Sequence, residues 1–164
     1  MNDENYLNQL KKDLNDLSIA VESLKLSFRK CEKIGIKQEY NFDEQESFDS
    51  FTSKFARTSD IYTQKILKTI FILLRENPKS FIDKANLAEK LEIIPSAENL
   101  ISIRDLRNEI VHEYMLEELP RIYKEIFSNY DNLILAIDKT KKFISNRNWE
   151  EGKDEETTPE NPAS

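Results

Sequence analysis

One short stretch of the chain, residues 103–114, concentrates side chains that can move protons and bind anions. It contains the only histidine of the sequence, His112, together with Arg104, Arg107, Asn108 and Tyr114. Histidine changes its charge near neutral pH, whereas the guanidinium of arginine stays charged and binds carboxylate or phosphate through paired hydrogen bonds. These residue types suit a catalytic site, but they are also typical of a solvated helix surface with a hydrogen-bonded histidine.

The spacing of these residues predicts how a helix would present them. At about 100° per residue, Arg104, Asn108 and His112 form one polar ridge, while Arg107 falls on the apolar side of the helix. A guanidinium on a core-facing side needs a carboxylate partner or an opening to water, because burying an unpaired charge is costly. Asp60, on the second predicted helix, is the candidate counter-ion for Arg107.

The segments that must position this stretch are helical. Apolar residues recur at alternating steps of three and four over residues 7–31, 48–73 and 116–144. This period is that of an amphipathic helix rather than the alternation of a strand. The narrow seam also favours helices that cross at small angles, as in antiparallel bundles. The sequence therefore predicts an all-α, antiparallel bundle of four or five helices.

Local signals give the expected ends of the first two helices. The first is predicted over Asp3–Lys33, with Gly35 ending it. Asn41 or Asp43 is suited to cap the second, which ends before Pro78. The C-terminal half of this second helix carries an additional apolar stripe, so we expect it to be deeply buried.

Three more helices complete the expected bundle. A short helix is predicted over Ser80–Leu91, and Pro95 with Ser96 marks the start of the next one, with Ser96 as its N-cap. The last long helix begins near Leu116 to Leu119, where Pro120 is tolerated in the first turn.

The charge of the chain is concentrated at its C-terminal end. The sequence has 164 residues and a net charge of −7, and residues 150–164 contain six acidic residues and one lysine. This tail lacks large apolar side chains and cannot bury enough surface to offset the entropy of ordering it. The sequence therefore predicts a helical domain over residues 1–147 and a disordered acidic tail over residues 148–164.

Composition excludes several classes of site and location. Two glycines cannot supply a phosphate-cradling Gly-rich loop, and a single Cys with a single His cannot form the usual zinc site. We therefore expect no metal and no cofactor. Because the N-terminus lacks a signal-peptide pattern and the longest apolar run, Ile70–Leu74, is far too short for a membrane span, we expect a cytoplasmic protein without a membrane segment.

Residues 107–114 resemble the Arg-Asn-x-x-x-His-x-Tyr motif of HEPN-domain proteins. Their sequence is Arg107-Asn108-Glu109-Ile110-Val111-His112-Glu113-Tyr114. More narrowly, it resembles HepT-like toxins, which are paired with a small MNT-type nucleotidyltransferase. Residues 51–65 of the second predicted helix also resemble a subgroup of these toxins. The resemblance covers about residues 44–126 and extends neither to the long first helix nor to the tail.

The resemblance implies the toxin of a type II toxin–antitoxin system. Such a toxin would be a metal-independent endoribonuclease that acts on RNA as a homodimer. In this role His112 would move a proton, Arg107 would bind the phosphate, and Asn108 would orient the imidazole or the phosphate. The supporting residues would be Arg104, Asp105 and Asp60.

The geometry of a straight helix makes the dimer part of this hypothesis. Residues five apart differ by about 140° around the axis, so Arg107 and His112 of one regular helix cannot converge on one phosphate. Either the helix is distorted between Asn108 and His112, or His112 of one subunit works with Arg107 of the other. The second arrangement, with paired motifs across a two-fold axis, is the one we favour.

The resemblance also implies a partner and a modification. The cognate MNT-type nucleotidyltransferase, acting as antitoxin, would transfer AMP to Tyr114, which would place a negative charge beside Arg107 and His112. The alternative for Tyr114 alone is a packed aromatic whose hydroxyl has one partner. The alternative for the whole chain is a non-catalytic, substrate-binding or regulatory subunit of a nucleotidyltransferase. A third possibility is an interaction module that uses the apolar seam between Leu7 and Cys31.

Overall fold

Five helical rods make up this all-α protein, seen here in a computed structural model that describes residues 1–112 and 116–149. No strand occurs in those two ranges. The rods form an antiparallel bundle, which confirms the predicted fold class. The elements are α1 (Asp3–Ile34), α2 (Phe42–Asp60), a π-helix (Ile61–Leu67), α3 (Lys68–Leu73), α4 (Phe81–Lys90), α5 (Ala97–Val111), a 3₁₀ turn (Leu116–Glu118) and α6 (Leu119–Asn146).

The helix ends follow the predicted capping residues. The backbone N–H of Gly35 closes α1 by donating to the carbonyl of Cys31. Asn41 rather than Asp43 caps α2, in a reciprocal capping box with Glu44. The hydroxyl of Ser96 caps α5 as predicted, and that of Ser80, which was predicted as the first residue of the short helix, caps α4. The proline of α6 lies in its first turn, as predicted.

The second predicted helix is one continuous rod in which α2, the π-helix and α3 follow each other without a break. The sequence did not predict the π-wound stretch in its middle. Two hydroxyls bond back along the helix here: Thr58 donates to the carbonyl of Lys54 at 2.8 Å, and Thr63 donates to that of Ser59 at 2.9 Å. Such bonds compete with the backbone N–H groups for helical carbonyls and favour local rewinding.

The core lies between this rod, α1 and α6. It contains a cluster of aromatic rings, in which the face-to-face pairs are Phe28 with Tyr130 (3.9 Å between centroids) and Phe48 with Tyr123 (4.4 Å). The seven rings of this aromatic cluster are Phe28, Tyr40, Phe48, Phe51, Tyr123, Phe127 and Tyr130.

The π-helix is fixed to the bundle by one buried phenol. The hydroxyls of Tyr62 and Thr140 are 2.7 Å apart, and Thr140 donates to the carbonyl of Ile93 at 3.1 Å. Burial raises the pKa of Tyr62, so the phenol stays neutral. This network ties the π-helix to α6 and to the α4–α5 connection, and so fixes the side of the rod that faces α5.

The chain continues past α6 for a few described residues. The indole N–H of Trp149 donates to the carbonyl of Ile144 at 3.0 Å, and its ring contacts Phe143 at 6.3 Å. The predicted tail from residue 150 onward lies outside the described residues. In the described part of the chain, no helix combines the length and the hydrophobicity that crossing a bilayer requires.

Candidate anion-binding cleft

The structure pairs Arg107 with the predicted counter-ion, Asp60. Nε of Arg107 donates to Oδ1 of Asp60 at 2.7 Å, and Nη2 donates to Oδ2 at 2.9 Å. This two-point contact raises the pKa of Arg107, chiefly through its hydrogen bonds to the carboxylate. About a quarter of the guanidinium side chain stays exposed, at 27%. The pair therefore holds Arg107 in one orientation without removing it from solvent.

Arg107 keeps hydrogen-bonding capacity for a ligand. Its Nη1 donates to Oδ1 of Asn108 at 3.3 Å. A guanidinium has five N–H groups, and Asp60 and Asn108 accept three of them. No other acceptor among the described residues bonds to this guanidinium. Nη1 and Nη2 therefore each keep one N–H that can donate to a ligand. Arg107 can thus bind an oxyanion while it remains paired with Asp60.

Arg104 is held beside this pair by an aromatic ring. Its guanidinium carbon lies 4.6 Å from the ring centroid of Phe81 on α4, within the range of a cation–π contact. Its Nε also donates to Oδ1 of the exposed Asp105 at 3.0 Å. The first turn of α4 therefore positions the second arginine of the predicted site.

These arginines line a cleft of about 220 Å³ between the rod, α4 and α5. The cleft brings together Asp60, Arg104, Arg107 and Asn108 from the sequence-predicted set. The other lining residues, which sequence analysis missed, are Ser59, Thr63, Gln64, Phe81 and Lys84. Three basic side chains and one carboxylate give the cleft a net positive lining, so it is suited to an anion.

Among the described residues that line the cleft, Lys84 is the one cation that was not predicted from the sequence. It is partly buried and has no acidic partner among the described residues, and both burial and the charge of Lys68 lower its pKa. The sequence does contain one indication that Lys84 lies beside Phe81 in the cleft. Phe81 and Lys84 are three residues apart and therefore share a face of α4.

His112 lies apart from the cleft. Helix α5 is regular through Val111, and His112 is its C-cap, with an extended backbone conformation. Its N–H donates to the carbonyls of Asn108 and Glu109, both at 3.3 Å, and the residue is exposed. The neighbouring Val111 is 52% exposed. The helix is thus not distorted before Val111, and His112 does not line the pocket that contains Arg107.

The residues next to His112 differ in whether the structure describes them. Glu109, three residues before His112, accepts from Nη2 of Arg121 at 2.9 Å. Tyr114 and Glu113 lie outside the described residues. Within residues 1–112 and 116–149, no three His, Cys, Asp or Glu side chains come together as potential metal ligands.

The site thus unites two fixed arginines, an amide and a partly buried lysine, with the only histidine at the exposed end of the same helix. Comparison with known proteins adds no relative: no family model, no curated protein and no solved structure matches this chain.

Proposed function

We propose that the protein is a metal-independent endoribonuclease that acts as the toxin of a type II toxin–antitoxin pair. The observation that carries this proposal is the Asp60–Arg107 pair in the lining of a cationic cleft, with Arg107 on the helix that ends at His112. A positioned guanidinium can stabilise the charge that accumulates on a phosphate, and an exposed imidazole can move a proton at neutral pH.

The proposed reaction needs only the RNA and protein side chains. His112 accepts the proton of a 2′-hydroxyl, and the O2′ oxygen attacks the adjacent phosphorus. The bond from phosphorus to O5′ breaks, and the imidazolium of the same His112 gives its proton to the leaving oxygen. The products are a 2′,3′-cyclic phosphate and a free 5′-hydroxyl.

The second copy is part of this proposal for a geometric reason. Since α5 is regular between Arg107 and Val111, the two catalytic side chains of one chain leave the helix axis in different directions. The exposed Val111 beside His112 gives the end of α5 an apolar contact for a symmetric partner. In a homodimer, His112 of one copy would face the phosphate that Arg107 of the other binds.

The direct test is cleavage of a single-stranded RNA in the presence of EDTA, with analysis of the product ends. We expect cyclic-phosphate ends from the wild type, and loss of activity by at least about 100-fold in His112→Ala and Arg107→Ala. Arg29→Ala, an exposed arginine of α1, is the matched control and should cleave normally. Equal cleavage by His112→Ala and the wild type would overturn the proposal.

A second candidate function is a non-catalytic binding subunit of an MNT-type nucleotidyltransferase. The observation that favours it is the position of His112, which is exposed at the end of α5 and does not line the cleft that contains Arg107. A wild-type protein that binds the nucleotidyltransferase but leaves RNA intact would select this candidate.

In either function, Tyr114 is the proposed site of AMP transfer by the cognate nucleotidyltransferase. Intact-mass measurement after incubation with that enzyme, magnesium and ATP tests this step. We expect a gain of one AMP by the wild type and none by Tyr114→Phe. A gain that persists in Tyr114→Phe would move the modification to another residue.

A further inference from the structure

A second cleft adjoins the one that contains the arginines. It has a volume of about 490 Å³ and lies between the end of the rod and the start of α4. The two clefts share Gln64 and Lys84, so they meet along one wall. The residues that line the second cleft are Gln64, Lys68, Phe71, Ile72, Glu76, Asn77, Pro78 and Lys84.

The two clefts differ in chemistry. The arginine cleft, of about 220 Å³, is lined mainly by cations, hydroxyls and amides, and is smaller than most sites for an organic ligand. The second cleft falls within the usual size range, and its lining includes the apolar side chains of Phe71, Ile72 and Pro78. A flat apolar group with polar edges would fit the second cleft, and an anion the first.

Lys84 stands where the clefts meet, and Lys68 lines the second cleft. Glu76 also lines the second cleft, but neither lysine forms an ion pair in the described part of the chain, and the charge of Lys68 helps to lower the pKa of Lys84. Two like charges that interact without an ion-pair partner cost free energy in the empty protein. An anion that bound between them would relieve this repulsion.

We infer that the two clefts form one binding site for a nucleotide unit of single-stranded RNA, with the base in the cleft of Phe71 and Pro78 and its phosphate beside Lys84, Arg104 and Arg107. The base would contact apolar surface on one side and the amide of Asn77 at its edge, the usual way in which proteins bind an unstacked base. This inference rests on the proposed function for the identity of the ligand as RNA.

Binding of a short RNA that cannot be cleaved tests the inference separately from catalysis. The probe is a fluorescein-labelled 2′-O-methyl hexanucleotide, which lacks the attacking hydroxyl, and the readout is anisotropy over a range of salt concentrations. The variants are Lys84→Gln and Lys68→Gln, and the matched control is Lys11→Gln, an exposed lysine of α1.

We expect Lys84→Gln to weaken binding about tenfold and Lys68→Gln about threefold, with Lys11→Gln unchanged. The slope of log affinity against log salt should fall by about 0.7 for each phosphate contact that is lost. An abasic hexamer should bind about tenfold more weakly than the probe, because the base contact is missing. Because Lys68 is exposed, its variant keeps the test valid if Lys84→Gln is unstable.

The outcomes separate the two proposals. Unchanged affinity and salt slope in both lysine variants, or equal binding of the probe and its abasic form, would overturn the inference even if RNA is cleaved. If the lysine variants lose affinity while His112→Ala cleaves as the wild type does, the binding site stands and the catalytic proposal fails.

Discussion

The two ends of the second rod are built from opposite kinds of side chain. At the α2 end, rings from α1, α2 and α6 stack on one another, and Phe48, Phe51 and Phe55 have no exposed surface. At the π-helix end, two open clefts are lined by hydroxyls, amides, two carboxylates and four basic side chains, which come from the rod, α4 and α5. One end therefore supplies stability, and the other keeps like charges near one another at a cost that a ligand would offset.

The largest effect that tests this division is truncation of a ring in the aromatic cluster. Phe48→Ala should lower the free energy of unfolding by about 3–5 kcal/mol, since it removes a fully buried ring that stacks on Tyr123. Phe42→Ala, at the start of the same helix, removes a ring that is 72% exposed and should change it by less than about 0.5 kcal/mol. Urea unfolding measures both, and similar losses in the two variants would contradict the division.

The aromatic end should also suppress the reactivity of Cys31. Burial raises the pKa of this thiol from 9.0 to about 11, and Sγ donates to the carbonyl of Ser47 at 3.4 Å. At pH 8 the thiolate fraction is then about 100-fold lower than in the unfolded chain, so a disulfide reagent should react at least about 100-fold more slowly with the native protein. Equal rates in buffer and in urea would show that the thiol is not protected.

The raised pKa of Cys31 also makes the free energy of unfolding depend on pH. Between about pH 9 and pH 11 the unfolded chain has lost the thiol proton while the native protein keeps it. The stabilisation is complete below the unfolded pKa, so the free energy of unfolding should decline as pH rises through this window. Cys31→Ala should lack this part of the decline.

At the cleft end, breaking the Asp60–Arg107 pair should affect activity more than stability. Asp60→Asn removes the charge and one of the two acceptors, so Arg107 loses its fixed orientation, and RNA cleavage should fall roughly tenfold. Because both side chains are partly exposed, the free energy of unfolding should fall by less than about 1.5 kcal/mol. Asp138→Asn, an exposed aspartate of α6, is the control. A large loss of stability with normal cleavage would assign Asp60 to folding alone.

The smallest expected effect lies in the turn between α4 and α5. Glu92 adopts a positive φ of 60°, and the N–H of Ile93 closes the turn on the carbonyl of Ala88 at 2.8 Å. Glu92→Gly should raise the free energy of unfolding by about 0.5–1 kcal/mol, because glycine adopts this conformation without steric cost. Glu46→Gly, in the interior of α2, should lower it by about 1 kcal/mol. Equal losses in both variants would show that the turn is not strained.

Local chemistry was enough to predict the helix ends and one tertiary contact. The caps at Asn41 and Ser96 depend on side chains within three residues, so the sequence contains the whole interaction. The Asp60–Arg107 pair was predictable because a charge on a core-facing side requires a partner.

Other features depend on how the helices pack and were not predictable. The π-winding of Ile61–Leu67 is fixed in part by the contact of Tyr62 with Thr140, a residue far away in the sequence. The residues that line the two clefts come from the rod, α4 and α5, and Lys84 of α4 lines both clefts. Periodicity along one helix contains no information about how separate helices come together.

The π-helix also determines where this chain tolerates a change in length. In a regular helix, the loss of one residue rotates everything beyond it by about 100°. A π-wound turn contains more residues than an α-turn, so a deletion within Ile61–Leu67 can be absorbed by tightening to α-winding. The same deletion in α6 would turn the following apolar residues away from their neighbours. Single-residue deletions along the second rod should therefore be accommodated best in its middle.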